Sequence, residues 1–175
     1  MNQEEFAKFA MALKTYYSKE EKLLANKQAM DLWYMQLNDI PYEVAEAALN
    51  KWVSVNKWSP AISDIREYAT SISYGDIPDW GSAWELVLES VRRYGMYRQN
   101  EAMQYINAAN KIAYHCVERM GYNVICLSEN VAVERANFRN MYEQYAERER
   151  YQRQLPMQLN QRISELQSIA TIEKG

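Results

Sequence analysis

One histidine, two cysteines, five glycines and four prolines among 175 residues leave little material for several kinds of chemistry. A phosphate-cradling loop needs a glycine-rich turn that ends in Lys followed by Ser or Thr, so that backbone amides can wrap the phosphates. None of the five glycines stands in that context, so no Walker-type ATP site and no cofactor are expected. A closed zinc site needs four ligands, yet His115 and Cys116 stand side by side and Cys126 is the only other soft donor. No metal is expected. Adjacent helical residues point about 100° apart, which also argues against a Cys–His nucleophile pair. Acid pairs such as Glu20 with Glu21 and Glu147 with Glu149 lie in polar stretches and read as solvated faces, not as general acids and bases. The expectation is a protein that is not an enzyme.

Also missing is any apolar run near the ~18 residues of a membrane span. The start, "MNQEEFAKFA", has acids where a signal peptide carries its basic region, so the reading is a cytoplasmic protein with no membrane partner. Its two cysteines are then free, partly buried small hydrophobes. A net charge of −3 lacks the concentrated basic surface that strong phosphate-backbone binding needs. The charge is uneven, however. Residues 1–79 hold eight basic against 12 acidic side chains, with Arg66 the only Arg; residues 80–175 hold 12 basic against 11 acidic, and ten of the 12 are Arg. The planar guanidinium suits interfaces, so the halves are expected to meet different surroundings.

What the chain does have is aromatic surface and helical periodicity. Fourteen Tyr, nine Met and five Trp favour long helices with aromatic contact faces. Phe6, Phe9, Ala10, Leu13 and Tyr17 fall on one helical face. Asn26 caps a second helix with Met30, Trp33, Tyr34 and Leu37 as its stripe. A third begins after Pro41 and presents Val44, Ala48, Trp52 and Val55. In a fourth, Ser59 caps, Pro60 opens, and Ile62, Ile65, Ala69 and Ile72 face inward. "YGDIPDWG", residues 74–81, collects turn residues. Beyond it, Trp84, Val87, Leu88 and Val91 mark a fifth helix ended by Gly95. Residues 101–120 form one or two more, with Ile106, Ala109, Ile112, Ala113 and Cys116 buried and Gly121 as C-cap. "NVICLSEN" is too short to classify. Phe138, Met141, Tyr142 and Tyr145 stripe a long helix whose apolar face fades into "ERERYQRQ". After Pro156, Leu159, Ile163, Leu166 and Ile169 stripe a last amphipathic helix.

The expected fold is therefore all-α: a compact four-helix domain over 1–73, a linker at 74–81, a second helical domain over 82–145, and a protruding Arg-rich arm with its amphipathic tail over 146–175. The Ser59-Pro60 helix could alternatively open a helix-turn-helix of a DNA-binding replication initiator or transcription regulator. Against that, the "TSISYGDIPDW" that follows has two Asp and no Lys or Arg, which would repel DNA. Trp33, Trp52 and Trp58 could stack on bases, but at helical spacing they read as core. Arg148, Arg150 and Arg153 are either a solvated face or a partner contact. The terminal stripe either folds back on the domain or lies in a partner's groove.

Three strings, "ALKTYY", "LANKQAMDLWYMQLNDIPYEVAEAALNKWV" and "KWSPAISDIREYA", resemble the phage replicative-helicase loader and inhibitor family in the order and spacing of Tyr-Tyr, Leu-Trp-Tyr, Asp-Ile-Pro-Tyr, Ala-Leu-x-Lys-Trp and Ser-Pro-x-Ile-x-Asp-Ile-Arg. "WELVLESVRRYGMYR", "CLSENVAVERANFRNMYEQYAERER" and "LPMQL" are similar to segments of its longer members. The resemblance implies an ATPase-free adaptor that binds a hexameric DnaB-type helicase of host or phage. It would hold the ring inactive and load it at the origin, with an origin-binding initiator as a further partner. By the same resemblance the carboxy-terminal part engages the helicase, which puts the grip at Arg148, Arg150, Arg153, Leu155, Leu159, Ile163 and Leu166. Short members have poorly ordered tails, whereas this tail reads as helical.

Overall fold

In the computed structural model the described residues are 1–172, and all regular elements among them are helices. Asn2 starts α1 (Gln3–Tyr16) through a reciprocal cap. Its side chain accepts the Glu5 amide at 2.9 Å, while the Glu5 carboxylate accepts the Asn2 amide at 2.7 Å, an arrangement that stabilises a helix start by about 1 kcal/mol. Asn26 caps α2 (Lys27–Leu37) as its sequence suggests, accepting the Ala29 amide at 2.9 Å. Pro41 precedes α3 (Tyr42–Val55).

The start of α4 (Ile62–Tyr74) differs from the sequence expectation. Ser59 does not cap it and Pro60 does not open it. Ala61 is the cap residue, and its amide is met by the Asp64 carboxylate at 2.8 Å. The Ser59 hydroxyl donates instead to Glu20, and Pro60 is buried. A carboxylate three residues into the helix thus replaces the hydroxyl cap. The inward face also rotates, since Ile65, Arg66 and Ala69 are buried and Ile72 is exposed. On α3 the buried face is Ala45, Ala48 and Leu49, and Val55 points to solvent.

The chain divides into two units, the first Met1–Asp76 with the segment from Gln152 onward, the second Ile77–Tyr151. Phe6, Phe9, Leu13, Leu37, Leu49 and Ile65 form the first core. Each such side chain contributes about 1.5–3 kcal/mol by leaving water.

The second unit comprises α5 (Trp80–Tyr94), a 3-10 turn (Met96–Arg98), α6 (Gln99–Ala109), α7 (Lys111–Met120), α8 (Tyr122–Leu127) and most of α9 (Val131–Gln154). Asp79 caps α5 through the Gly81 and Ser82 amides at 2.8 and 3.1 Å. Gly95 and Gly121, with φ of 60° and 88°, end α5 and α7 in a region that side chains disfavour. Asn110 separates α6 from α7 by capping the latter at Ala113, 3.0 Å. The unclassified "NVICLSEN" lies mostly in α8, anchored by buried Ile125. Trp84, Val87, Ile106, Val117, Tyr122, Phe138 and Tyr142 fill the core. Its two tyrosine hydroxyls are satisfied: Tyr122 donates to the Ser90 carbonyl at 3.2 Å and Tyr142 to that of Pro78 at 2.9 Å. Ala109, expected inside, is exposed.

α10 (Met157–Ile172) closes the described chain. Ala146, where the expected arm starts, is buried in the second core, and the segment from Gln152 belongs to the first unit. Among the described residues no helix is long and apolar enough to cross a membrane.

Candidate functional site

α9 and α10 meet at Leu155 and Pro156, where two helix ends leave unpaired backbone groups. The first unit supplies their partners through one ion pair. Arg66, 7% exposed on α4, makes a two-pronged contact with Asp39, at 2.8 Å to Oδ1 and 2.9 Å to Oδ2. The same guanidinium donates to the Gln36 carbonyl at 2.5 Å and, through Nε, to the Gln154 carbonyl at the end of α9. The Thr70 hydroxyl donates to the neighbouring Arg153 carbonyl at 3.2 Å. Asp39 Oδ2 accepts the Met157 amide at 3.0 Å, at the first residue of α10. A cation therefore faces a helix C-terminus and a carboxylate a helix N-terminus, the signs the helix dipoles favour.

This contact fixes where the tail starts. Burial pushes the Asp39 carboxyl toward the neutral form. The Arg66 guanidinium and the Met157 amide outweigh that, so its pKa lies below the usual carboxylate range. The carboxylate is thus charged at neutral pH and remains a strong acceptor for both helices.

The grip residues expected from the resemblance fall on both sides of this latch. Arg148 and Arg150 are exposed on α9 within the second unit. Arg153 is half-buried, with its guanidinium 5.6 Å from the Tyr74 ring centroid. Leu155 is half-buried at the junction. On α10, Ile163 is half-buried, while Leu159, Leu166 and Ile169 are 43%, 57% and 54% exposed. The tail is attached at its root and presents Leu159, Leu166 and Ile169 to solvent. Residues 153–157 are fastened by these hydrogen bonds, and of the stripe beyond them only Ile163 is half-buried.

Sequence reasoning missed Asp39 and Arg66, although both lie in quoted strings, Asp-Ile-Pro-Tyr and Asp-Ile-Arg. A signal was present: Arg66 is four residues after Ile62 and three before Ala69, on the core face of its helix. A lone Arg on an apolar face requires a partner.

The other reactive side chains are far less organised. Burial pushes the Cys116 thiol up to about 12, so it is not a thiolate at neutral pH. His115 is exposed, 3.5 Å from Glu118. Among the described residues no group of three His, Cys, Asp or Glu side chains could hold a metal ion.

No curated protein and no solved structure matches the chain. A family model described as the N-terminal domain of the gene 39 protein matches residues 1–66, a span that contains α1 to α3, the start of α4 and both members of the ion pair. Over those residues the chain is similar to a domain of a family of phage helicase loaders and inhibitors.

Proposed function

We propose that the protein is a phage replication adaptor that binds a hexameric DnaB-type replicative helicase, holds the ring inactive, and loads it at the origin together with an initiator. The proposed grip is α10 with the residues leading into it. Leu159, Ile163 and Leu166 enter a groove of the helicase, Leu155 packs at the base, and Arg148, Arg150 and Arg153 meet acidic groups at the rim. Apolar anchors supply affinity, and the guanidinium groups supply orientation and association rate. Several copies around a six-membered ring gain further by avidity. In this reading the adaptor performs no catalysis of its own.

The observation that carries the reading is an apolar helical stripe whose Leu159, Leu166 and Ile169 are left in solvent although its root is fixed by a buried ion pair. A helix with no partner normally turns such a stripe inward.

The test is co-elution of the full chain with purified hexameric helicase, host and phage, in parallel with the double variant Leu159→Asp, Ile163→Asp. Native chain should co-elute and the variant should not, with helical circular dichroism unchanged. Equal binding by the two proteins would remove α10 as the grip, and no binding by either would remove the function.

A further inference from the structure

The second unit contains an open cleft of about 540 Å³ between α5 and the early turns of α9. Its apolar lining comes from Leu88 and the almost fully buried Trp84 of α5, and from Val131, Ala132 and Ala136 of α9. Ala132 and Ala136 are exposed and one helical turn apart, so that wall is low enough for another backbone to approach. Trp80 stands at one side, and both Arg135 and Arg139 lie over its ring, 5.1 and 5.0 Å from the centroid.

The two guanidinium groups differ in what satisfies them. Arg139 pairs with Glu143 at 2.8 Å. Arg135, exposed, has no ion-pair partner among the described residues and is held only by the indole. A cation–π contact on an exposed ring stabilises by about 0.5–1 kcal/mol. That is enough to order a long side chain and not enough to replace a carboxylate. Pre-ordered Arg beside Trp over an apolar floor is the composition at which binding energy concentrates in protein interfaces.

We propose that this cleft docks an amphipathic helical segment of a partner protein. The segment lays its apolar face on Trp80 and Leu88, and sets a carboxylate against Arg135. Glu85 on the α5 wall gives the cleft a polarity, so the acidic flank of the segment runs along α9. All of the cleft residues belong to the second unit, and none is a residue of the proposed α10 grip.

Charge selects this occupant over two others. A phosphate backbone needs several free cations along its length, whereas residues 77–151 hold nine Lys and Arg against ten Asp and Glu, a net of −1. Arg139 is already paired with Glu143, so the cleft offers Arg135, which suffices for one carboxylate. A second copy offers α10 as its exposed apolar helix, but residues 157–169 hold one Arg and one Glu, so it brings no surplus negative charge.

The experiment titrates the full chain with a synthetic amphipathic peptide bearing leucines at helical spacing and glutamates along its flank, and with a counterpart in which lysine replaces every glutamate. Indole signals in a nitrogen-15 correlation spectrum report binding. The acidic peptide should shift the Trp80 signal saturably and the lysine peptide should not. Arg135→Glu should weaken the acidic peptide about tenfold or more, and Ala136→Arg, which fills the cleft from an exposed position, should abolish binding with the unfolding midpoint unchanged. The proposal is overturned if neither peptide binds, if both bind equally, or if Arg135→Glu has no effect. Competition by a single-stranded oligonucleotide would assign the cleft to nucleic acid instead, and dimerisation abolished by Ala136→Arg would assign it to a second copy.

Discussion

Arg66 and Asp39 carry more of the structure than any exposed pair, because each satisfies two kinds of group at once. Arg66→Ala removes the donor to two carbonyls and leaves Asp39 charged in a site where its side chain is 16% exposed. Breaking a buried pair from one side costs about 3 kcal/mol, so denaturant unfolding of this variant should show a loss of that size. Arg66→Lys should recover little of it, since an ammonium cannot reproduce the fork that meets Asp39 and both carbonyls. The pH dependence follows from the same site. The folded pKa of Asp39 lies below its unfolded value, which is about 4. Its contribution is therefore complete above that value and is lost as pH falls through the folded pKa. Unfolding free energy measured from about pH 5 downward should fall, and Asp39→Asn, less stable at neutral pH, should fall less steeply. The chain order hides this pair. Arg66 is recognisable as a lone guanidinium on a core face, but its acceptors are 27, 30 and 88 residues away, and no periodicity spans such distances.

At the scale of elements, the helices were legible where the signal was local. Asn26 starts a helix and Gly95 and Gly121 end helices at the places their chemistry suggests, and the Phe6, Phe9, Ala10, Leu13 stripe is buried as its spacing implies. Errors occur where two local signals compete. Ser-Pro at 59–60 resembles a helix start, but Asp64 reaches back to Ala61 and moves the start to Ile62. The six-residue α8 has too few turns to display a period, and tertiary burial of Tyr122 and Ile125 decides it. Gly121, which joins α7 to α8, tests that account. At φ of 88° a side chain is strained, and an added Cβ would lie 3.2 Å from Val124 Cγ2. Left-handed backbone costs an L-residue about 1–2 kcal/mol. Gly121→Ala should therefore lower the thermal midpoint of the second unit, and by more than Gly95→Ala, where the added Cβ meets no atom within 4 Å.

For the whole molecule, the consequence is that sequence order and unit membership diverge. The segment from Gln152 is last in the chain and belongs to the first unit, which the fading stripe after Tyr145 did not reveal, because the forces that return it are hydrogen bonds and not apolar periodicity. Deleting residues 152–175 would then remove the proposed grip and the groups that cover Arg66 together. These effects separate by magnitude and place. Truncation admits water to Arg66 as it removes the Gln154 carbonyl and the Met157 amide, so the cost is that of exchanged hydrogen bonds, about 1 kcal/mol each. It is smaller than for Arg66→Ala, where Asp39 stays covered without its cation. Amide exchange should accordingly quicken across Phe6–Leu13 and Ile65–Ala69 in the truncated chain, and stay unchanged at Val87, Ile106 and Val117 in the second core. The double variant Leu159→Asp, Ile163→Asp leaves the latch intact and alters positions that are exposed or half-buried, so it should leave exchange unchanged in both units. If the truncated chain exchanges like the native one, the tail adds nothing to the first unit. If the double variant quickens exchange there, the α10 stripe packs on that unit and is not held out for a partner.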